Sequence, residues 1–344
     1  MNNIWIAMSG GVDSSGAALL VQKVYETCAG VTLTMLGTEA DAQNVRDAAQ
    51  VCTRLGIGHT ALDCRDAFAD RVMQYFARSY ESGETPNPCV ICNREIKFGF
   101  LLDEAIARGY DGVATGHYAR IYRDASGHCM VQKAVDVTKD QSYVLAQLTE
   151  IQLQHCVFPL GEYTKAQIRE LAAEYGFATA HKSDSQDICF VPDGDYVDFL
   201  TAFTGKAPVP GDYVDETGKV LGKHKGQQCY TIGQRKGLGI ALGRHMFVLH
   251  KDAAANRVTL GDEPALFQSR VHCAPFHHQT PTPLPDGAHC MAKLRYAHRE
   301  APARLWHTED GCVLEFENAQ RAPSPGQFAV CYDGDLVLGS AVIR

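Results

Sequence analysis

A glycine-bearing turn near the start of the chain is the feature that most constrains its fold. Residues 9–15 read SGGVDSS; they follow the apolar run 4–8 and precede the apolar segment 17–21. This order predicts a strand, a turn and a helix. Two adjacent glycines let the backbone come close to a ligand, and the free N–H groups and dipole at a helix start favour an anion. The segment therefore predicts a cradle for a nucleotide phosphate.

The same turn carries a complete family signature. It lacks the Gly-Lys-Ser/Thr ending with which a Walker loop grips the β- and γ-phosphates, which argues against a kinase or GTPase. Its Ser-Gly-Gly-x-Asp-Ser pattern resembles that of the PP-loop ATP pyrophosphatases. Those enzymes cleave ATP to AMP and pyrophosphate and activate a carbonyl oxygen as an adenylate. The plain alternative is an ordinary strand-to-helix loop.

The resemblance implies ATP and Mg²⁺ as cofactors. Asp13 is the candidate magnesium ligand, because hard cations prefer oxygen ligands. The implied nucleotide-binding residues are Ala7, Met8, Ser9, Gly10, Gly11, Val12, Asp13, Ser14, Leu33 and Gly116.

The first part of the chain alternates short apolar strands with helical patterns. Strands are predicted at residues 4–8, 30–36, 60–63 and 110–115. Helices are predicted from about residue 14, around 41–55 and over 165–175, the last opened by Thr164. This order predicts an α/β domain with a parallel, Rossmann-like sheet that binds ligands at the carboxyl ends of its strands.

The pattern changes after about residue 204. Gly and Pro become frequent over 205–211, short alternating segments follow, and a hairpin over 328–343 turns at residues 333–335. Such a pattern is typical of an all-β sandwich or small barrel. A chain of 344 residues also exceeds the size of one core. We predict a PP-loop catalytic domain over 1–204, a small central β-rich domain over 205–268 and a C-terminal β-barrel over 269–344.

Charge and cysteine content limit the partners and the compartment. The net charge of −8 argues against a general nucleic-acid binder, but residues 201–344 carry 16 basic and 14 acidic side chains. A bound polyanion would be gripped mainly there, unless the difference is only compositional drift. No apolar run is long enough for a membrane span, and no signal segment leads the chain, so we expect a cytoplasmic protein. Its 13 cysteines are then expected to be mostly packing thiols.

Two cysteines spaced three residues apart carry the second chemical signal. Cys89 and Cys92 follow the proline-fixed loop 85–88 and precede Arg94 and Lys97 at an apparent helix start. Cationic neighbours and a helix N-terminus lower the pKa of a thiol, so we expect nucleophilic thiolates here. Cys189, in the segment SQDICF, is a third candidate that only folding could bring close.

Three roles compete for these thiols. A structural zinc site would need a fourth ligand, and no second paired motif stands at standard spacing. A thioredoxin-type redox site would have no need of an ATP loop. A nucleophile pair that acts on an adenylate made at residues 9–15 accounts for both features.

Several separate segments resemble the bacterial tRNA-specific 2-thiouridylases, in the family's order and over nearly the whole chain. That family has a PP-loop domain, a small central domain and a C-terminal β-barrel. Two other functions are the alternatives. A different PP-loop ligase would need neither Cys92 nor Cys189, and a non-catalytic RNA-binding protein would release no pyrophosphate from ATP. The matching segments are residues 9–15, 85–98, 114–120, 139–143, 185–190, 226–239, 293–296 and 324–327.

The resemblance implies ATP-dependent 2-thiolation of the wobble uridine of tRNA. ATP adenylates the C2 oxygen, and a cysteine desulfurase or sulfur-relay protein supplies sulfur that Cys189 carries as a persulfide. Either the persulfide attacks C2, or Cys92 attacks the persulfide to release sulfide. Both routes leave a Cys92–Cys189 disulfide that an external thiol reductant must reset. The implied tRNA-contacting residues are Asn87, Pro88, Cys89, His117, Lys139, Asp140, Gln141, Arg295, Tyr296 and Gln327.

Cys89 departs from the family's pattern. Most members carry Asp at this position, in Asn-Pro-Asp, and that carboxylate is thought to act on the target base. A thiol cannot reproduce its hydrogen bonds, so Cys89 is either a benign variant or a resolving thiol. Alternatively, Cys89, Cys92 and Cys189 hold a [4Fe-4S] cluster whose fourth iron stays open to bind sulfide.

Overall fold

The computed structural model describes residues 1–182, 188–191, 194–241 and 243–344. Its α-helices are α1 Val12–Val24, α2 Glu39–Leu55, α3 Arg65–Phe68, α4 Gln74–Glu81, α5 Pro88–Cys92, α6 Leu101–Ala107, α7 Ser142–Leu145, α8 Glu150–Gln154, α9 Lys165–Glu174 and α10 Tyr196–Thr204. Two π-helical segments, Ala69–Met73 and Asn93–Phe100, join α3 to α4 and α5 to α6.

The strands fall into an early group and a late group. The early strands are β1 Asn3–Ala7, β2 Thr27–Thr34, β3 Gly58–Asp63, β4 Gly112–Ala114, β5 Ala119–Arg123, β6 Cys129–Lys133 and β7 Cys156–Val157. The late strands are β8 Gly211–Val214, β9 Val220–His224, β10 Phe247–Asp252, β11 Arg257–Gly261, β12 Phe267–Cys273, β13 His277–His278, β14 Ala288–Lys293, β15 Ala301–Thr308, β16 Gly311–Arg321, β17 Phe328–Asp333 and β18 Leu336–Val342.

A parallel sheet of five strands, ordered β3-β2-β1-β4-β7, forms the N-terminal domain and confirms the predicted α/β class. Ile4 and Ile6 of β1 pack with α1 and α2 on one face, and Trp5 packs with α6 on the other. Helices on both faces explain why β1 is apolar at every inner position. Helix α9 begins at the predicted cap, where Thr164 and Gln167 form a capping box.

The later half is β-rich, as predicted. A small sheet, ordered β10-β11-β8-β9, forms the central region around its own apolar cluster. The last sheet runs β12-β16-β15-β14-β17-β18, and a bridge between Cys273 and Ile343 joins its two ends into a barrel. A buried cluster that includes Leu305, Leu314 and Cys331 fills the interior.

One hairpin was not predicted. Strands β5 and β6 lie early in the chain but extend the barrel sheet, where Leu336 of β18 pairs with Gln132 of β6. Their apolar positions share a core with Phe328 and Tyr332 of β17. The sheet thus draws on residues from both halves of the chain, and the three-part division at residues 204 and 268 stays a prediction.

Within the part of the chain that the structure describes, no helix is long and apolar enough to cross a membrane.

Candidate active site

The turn after β1 has the geometry expected of a phosphate cradle. Gly10 adopts φ +67°, and a Cβ there would come within 2.8 Å of the Asn44 carbonyl oxygen. The Ser14 hydroxyl accepts from the Ser9 N–H at 3.2 Å and donates to the Gly11 carbonyl at 3.0 Å. Gly11 occupies the N-cap of α1 with extended backbone, and it has no side chain to cover the first N–H groups of the helix.

The Asp13 carboxylate is partly buried and is bonded by two side chains. The Lys165 ammonium lies 2.7 Å from both of its oxygens, and the Tyr118 hydroxyl donates to it at 2.8 Å. Lys165 is the first residue of α9 and is buried, so α9 contributes a cation to the start of α1. Asp13 was expected to offer a ligand to Mg²⁺; in this structure its carboxylate neutralises Lys165 while about a third of the side chain stays exposed, and its role as a metal ligand stays a prediction.

Two strands that flank β1 position Leu33 and Gly116. Leu33 is on β2, and the Met8 N–H donates to the Val31 carbonyl of β2 at 2.7 Å, which joins the cradle to that strand. Gly116 follows β4, where a Cβ would come within 2.8 Å of the Asp13 carbonyl carbon and 2.9 Å of the Ser14 nitrogen. The predicted nucleotide residues therefore meet at the carboxyl ends of β1, β2 and β4.

We expect Gly116→Ala to destabilise the protein by about 1–3 kcal/mol and to reduce ATP turnover, because the new methyl group would push against backbone that cannot rotate away. Thermal unfolding and ATP-dependent pyrophosphate release measure the two effects. Gly58→Ala on β3 is the matched control, since its Cβ would lie 4.0 Å from the Ala29 Cβ. Normal unfolding and turnover of the Gly116 variant would remove this contact from the site.

The structure places Cys189 in the same part of the fold as Cys92, because Ile188 and Phe190 pack in the apolar cluster that contains Cys92. Cys92 is buried in α5, whereas Cys89 and Cys189 are exposed. The Asn87 side chain caps α5 by accepting from the Cys89 N–H at 3.2 Å, and Pro88 occupies the first turn. The thiols of Cys89 and Cys189 lie close enough to Cys92 for a thiolate at either one to raise its pKa. Chain folding thus supplies the juxtaposition that the sequence alone could not.

The expected lowering of the thiol pKa values is wrong. The pKa of Cys92 is raised to about 12, mainly by burial; the charge of Lys97 opposes the rise, and the nearby thiols contribute to it. Desolvation by surrounding protein atoms also raises the pKa of Cys89 and of Cys189, and the positive charge of Lys97 again opposes the rise. The local rule fails because Cys92 packs into an apolar cluster with Phe68, Phe76 and Phe190.

Sequence reasoning missed Cys64, and it did not predict that Lys97 and His117, which it had named separately, lie close together. Cys64 directly follows β3, and its buried thiol, with a pKa raised to about 12 by burial, interacts with Cys92. Lys97 also faces His117, which bonds Thr115 at 2.7 Å and whose pKa is well below its usual value because it is buried. Since Cys64 follows β3 and His117 follows β4, the thiols lie at the same side of the sheet as the cradle.

Lys182 makes a second cation–carboxylate contact at the cradle. Its ammonium donates to the Gly10 carbonyl and to Asp47, each at 3.1 Å. The sequence carried no signal for Lys165 or Lys182 as site residues, because each finds its carboxylate far away in the chain.

The described ranges 1–182, 188–191, 194–241 and 243–344 contain no group of three or more His, Cys, Asp or Glu residues placed to hold a metal ion. The alternative in which Cys89, Cys92 and Cys189 hold an iron–sulfur cluster stays a prediction. Of the segment around Cys189, residues 183–187 lie outside the described residues.

The predicted tRNA-contacting residues also form bonds within the protein. The Gln141 side chain accepts from the Tyr118 N–H at 3.0 Å, and the Asp140 carboxylate accepts from Ser142 at 2.6 Å. The Tyr296 hydroxyl donates to the Asp140 carbonyl at 3.2 Å, which ties the barrel to the loop containing Lys139. Arg295 donates to the carbonyls of Ile232 and Ala322, and Gln327 donates to the Thr85 carbonyl at 2.7 Å. Their contact with RNA stays a prediction.

Three family models match the chain in succession. They are described as tRNA methyl transferase HUP domain, over residues 2–193, tRNA methyl transferase PRC-barrel domain, over 197–262, and Aminomethyltransferase beta-barrel domain, over 270–343.

Similar proteins match over their full length. The tRNA-specific 2-thiouridylase MnmA of Moorella thermoacetica is 44% identical, with 98% of each chain covered. The protein of the same name from Chloroflexus aggregans is 43% identical over all of this chain and 98% of its own length. A solved structure, the U34-tRNA thiolase NcsA from Methanococcus maripaludis with its [4Fe-4S] cluster, is 20% identical over 58% of this chain and 65% of its own, with a TM-score of 0.34.

Proposed function

This chain belongs to the tRNA-specific 2-thiouridylase family, and we propose that it is a tRNA sulfurtransferase that uses ATP to convert the wobble uridine to 2-thiouridine. The observation that carries the proposal is that Cys92 packs in one apolar cluster with Ile188 and Phe190, the neighbours of Cys189, and with Leu33 of the predicted nucleotide site. A PP-loop ligase that transfers no sulfur would have no use for this thiol pair.

In the proposed reaction the uridine is first made electrophilic. Its C2 oxygen attacks the α-phosphorus of ATP, the bond to the β-phosphate breaks, and pyrophosphate leaves from the cradle at residues 9–15. The oxygen has then become part of a good leaving group, so C2 can accept a soft sulfur nucleophile. Loss of AMP leaves the thiocarbonyl.

Sulfur would come from a persulfide on Cys189, loaded by a cysteine desulfurase or a sulfur-relay protein. In one route the terminal sulfur of the persulfide attacks C2. Cys92 then attacks the Cys189 Sγ, the bond between Sγ and the transferred sulfur breaks, and that sulfur stays on C2. In the other, Cys92 attacks the same atom first and releases hydrosulfide, which attacks C2. Both routes leave a Cys92–Cys189 disulfide, and two equivalents of an external thiol supply the two electrons that reduce it.

The resting state suits this order of events. Because burial raises the pKa of Cys92 to about 12, its thiol keeps the proton in the free protein. A protonated, buried thiol does not attack a persulfide prematurely. Lys97, which opposes the rise in pKa at Cys89, Cys92 and Cys189, is the cation that would stabilise a thiolate when one forms.

The RNA partner would span the β-rich half and helix α5, which contains Cys89 and Cys92 and is called the thiol helix below. We propose that Asn87, Pro88, Cys89 and His117 lie near the target base, and that Arg295, Tyr296 and Gln327 contact the anticodon arm. The division into domains at residues 204 and 268 and the cytoplasmic location belong to the same proposal.

Anaerobic thiolation of tRNA with ATP and Mg²⁺ tests the proposal, with 2-thiouridine read by mass spectrometry. We expect iron-free protein to form the product when a cysteine desulfurase supplies sulfur. Product formed only by cluster-reconstituted protein, and not by the iron-free protein, would instead assign Cys89, Cys92 and Cys189 to an iron–sulfur centre. No product and no pyrophosphate release under either condition would overturn the proposed function.

A further inference from the structure

The turn that precedes the thiol helix is held by two other parts of the protein. Residues 82–87 connect α4 to α5, and Gly83 adopts φ +85° in the turn. Pro86, Asn87 and Pro88 then lead directly to Cys89. Proline fixes φ, and Asn87 bonds the Cys89 N–H, so this connection has little freedom to absorb a shift. A displacement at Thr85 would therefore move α5.

The central region grips one side of this turn with two buried polar side chains. The Gln227 amide donates to the Tyr80 carbonyl at 2.8 Å. The Lys251 ammonium donates to the Glu84 carbonyl at 3.3 Å and to the Tyr230 carbonyl at 3.0 Å, and it lies 5.7 Å from the Tyr80 ring centroid. Lys251 is only 6% exposed.

A buried ammonium loses its hydration, and carbonyl oxygens and an aromatic face replace only part of it. This loss lowers the pKa of Lys251 to about 8, although the charges of Glu84 and Cys229 oppose the shift. A methionine of similar length would fill the same space without that penalty. Packing alone does not therefore explain the lysine, whereas its bond to the Glu84 carbonyl gives it a specific task.

The barrel grips the other side of the turn. The Thr85 N–H donates to the Pro325 carbonyl, and the Gln327 amide donates to the Thr85 carbonyl, each at 2.7 Å. Gly326 adopts φ +88°, and a Cβ there would come within 2.9 Å of the Glu84 Cβ. Both backbone polar groups of Thr85 are thus bonded to the loop 325–327.

We propose that Lys251 is a positioning residue for the thiol helix: with Gln227 and the loop 325–327 it clamps residues 83–85 and thereby fixes where Cys89 and Cys92 stand. The role in sulfur transfer rests on the proposed function, but the clamp itself does not. Arg295 extends the arrangement, since it donates to the Ala322 carbonyl and to the Ser324 hydroxyl just before the clamping loop. RNA bound at Arg295 and Gln327 would therefore lie directly against the clamp.

Thiol reactivity in the free protein tests the clamp without any sulfur transfer. In Lys251→Met we expect iodoacetamide to alkylate Cys92 about tenfold faster, because local opening of α5 exposes it. Cys52, which is fully buried beside β2, is the internal reference and should stay protected. Lys219→Met, at an exposed position of the same central region, is the matched control variant.

Single-turnover thiolation and the Kd for tRNA measure the functional role. We expect Lys251→Met to slow single-turnover thiolation about tenfold, as small misplacement of a reacting group does, with the Kd for tRNA changed less than about twofold. Gln227→Met loses the bond to Tyr80 and should also slow thiolation while leaving the Kd for tRNA nearly unchanged. This second variant covers the case in which Lys251→Met does not fold. Equal acceleration at Cys52 and Cys92, or unchanged reactivity at Cys92, would overturn the clamp. A changed Cys92 reactivity with no thiolation in the wild-type protein would sink only the proposed function.

Discussion

Cys189→Ala is expected to abolish formation of 2-thiouridine while the protein still binds tRNA and still releases pyrophosphate. Alanine cannot carry a persulfide, so the adenylated uridine would find no sulfur nucleophile. Removing a nucleophile typically lowers turnover by about 10³-fold or more. Cys189 is exposed, so its loss should leave the folded protein intact. The measurement is 2-thiouridine by mass spectrometry, with pyrophosphate release and tRNA binding followed on the same samples.

Cys92→Ser completes this test, because the two cysteines have different tasks. The serine variant should still accept sulfur onto Cys189 from a desulfurase, which a mass shift of the protein would show, but it could not form the disulfide. Cys28→Ala is the matched control: Cys28 is also a free cysteine but lies at the amino end of β2, away from the cradle. Normal product from the Cys189 variant would remove the persulfide from the mechanism, and normal product from the Cys92 variant would remove its partner.

The elements that the sequence predicted well are those whose pattern is set by burial. β1 lies between two layers of helices, so its apolar run identifies it without knowledge of its neighbours. Thr164 likewise marks the start of α9, because a capping box involves only residues three apart in the chain. The hairpin β5–β6 was not predicted, for the opposite reason. Arg120, Arg123 and Lys133 give it the composition of a surface loop, and only its pairing with β18 makes it part of a larger sheet.

The sequence indicated the motifs of the candidate site but did not predict the charges and pKa values around them. Residues 9–15, Cys92 and Cys189 could be singled out from short motifs, but the electrostatics depend on residues distant in the chain. Lys165 meets Asp13 across 152 positions, and Gln327 meets Thr85 across 242. The pKa of Cys92 shows the consequence most directly. Nearby Lys97 predicts a lowered value, yet packing against aromatic rings raises it to about 12.

Lys165→Met is expected to reduce ATP-dependent pyrophosphate release more severely than Asp13→Asn. Without the ammonium, the Asp13 carboxylate would keep its negative charge at the start of α1, where it would repel the incoming triphosphate. Lys165 is the more buried partner of this ion pair; its loss leaves Asp13 without its cation, and we expect turnover to fall by about 10²-fold or more. Asp13→Asn removes the charge while the amide can still accept from Tyr118, so we expect a smaller loss of about tenfold.

The double variant separates the two roles open to Asp13. If Asp13 serves to neutralise and hold Lys165, combining Asp13→Asn with Lys165→Met removes the repelling charge and should restore part of the activity lost in Lys165→Met. The Mg²⁺ concentration for half-maximal pyrophosphate release should then be the same in Asp13→Asn and in the wild-type protein. A magnesium ligand would behave differently: Asp13→Asn alone would raise that Mg²⁺ concentration, and the double variant would be worse than either single one. Thermal unfolding of all four proteins checks that the comparison is made between folded chains, because additivity is interpretable only there.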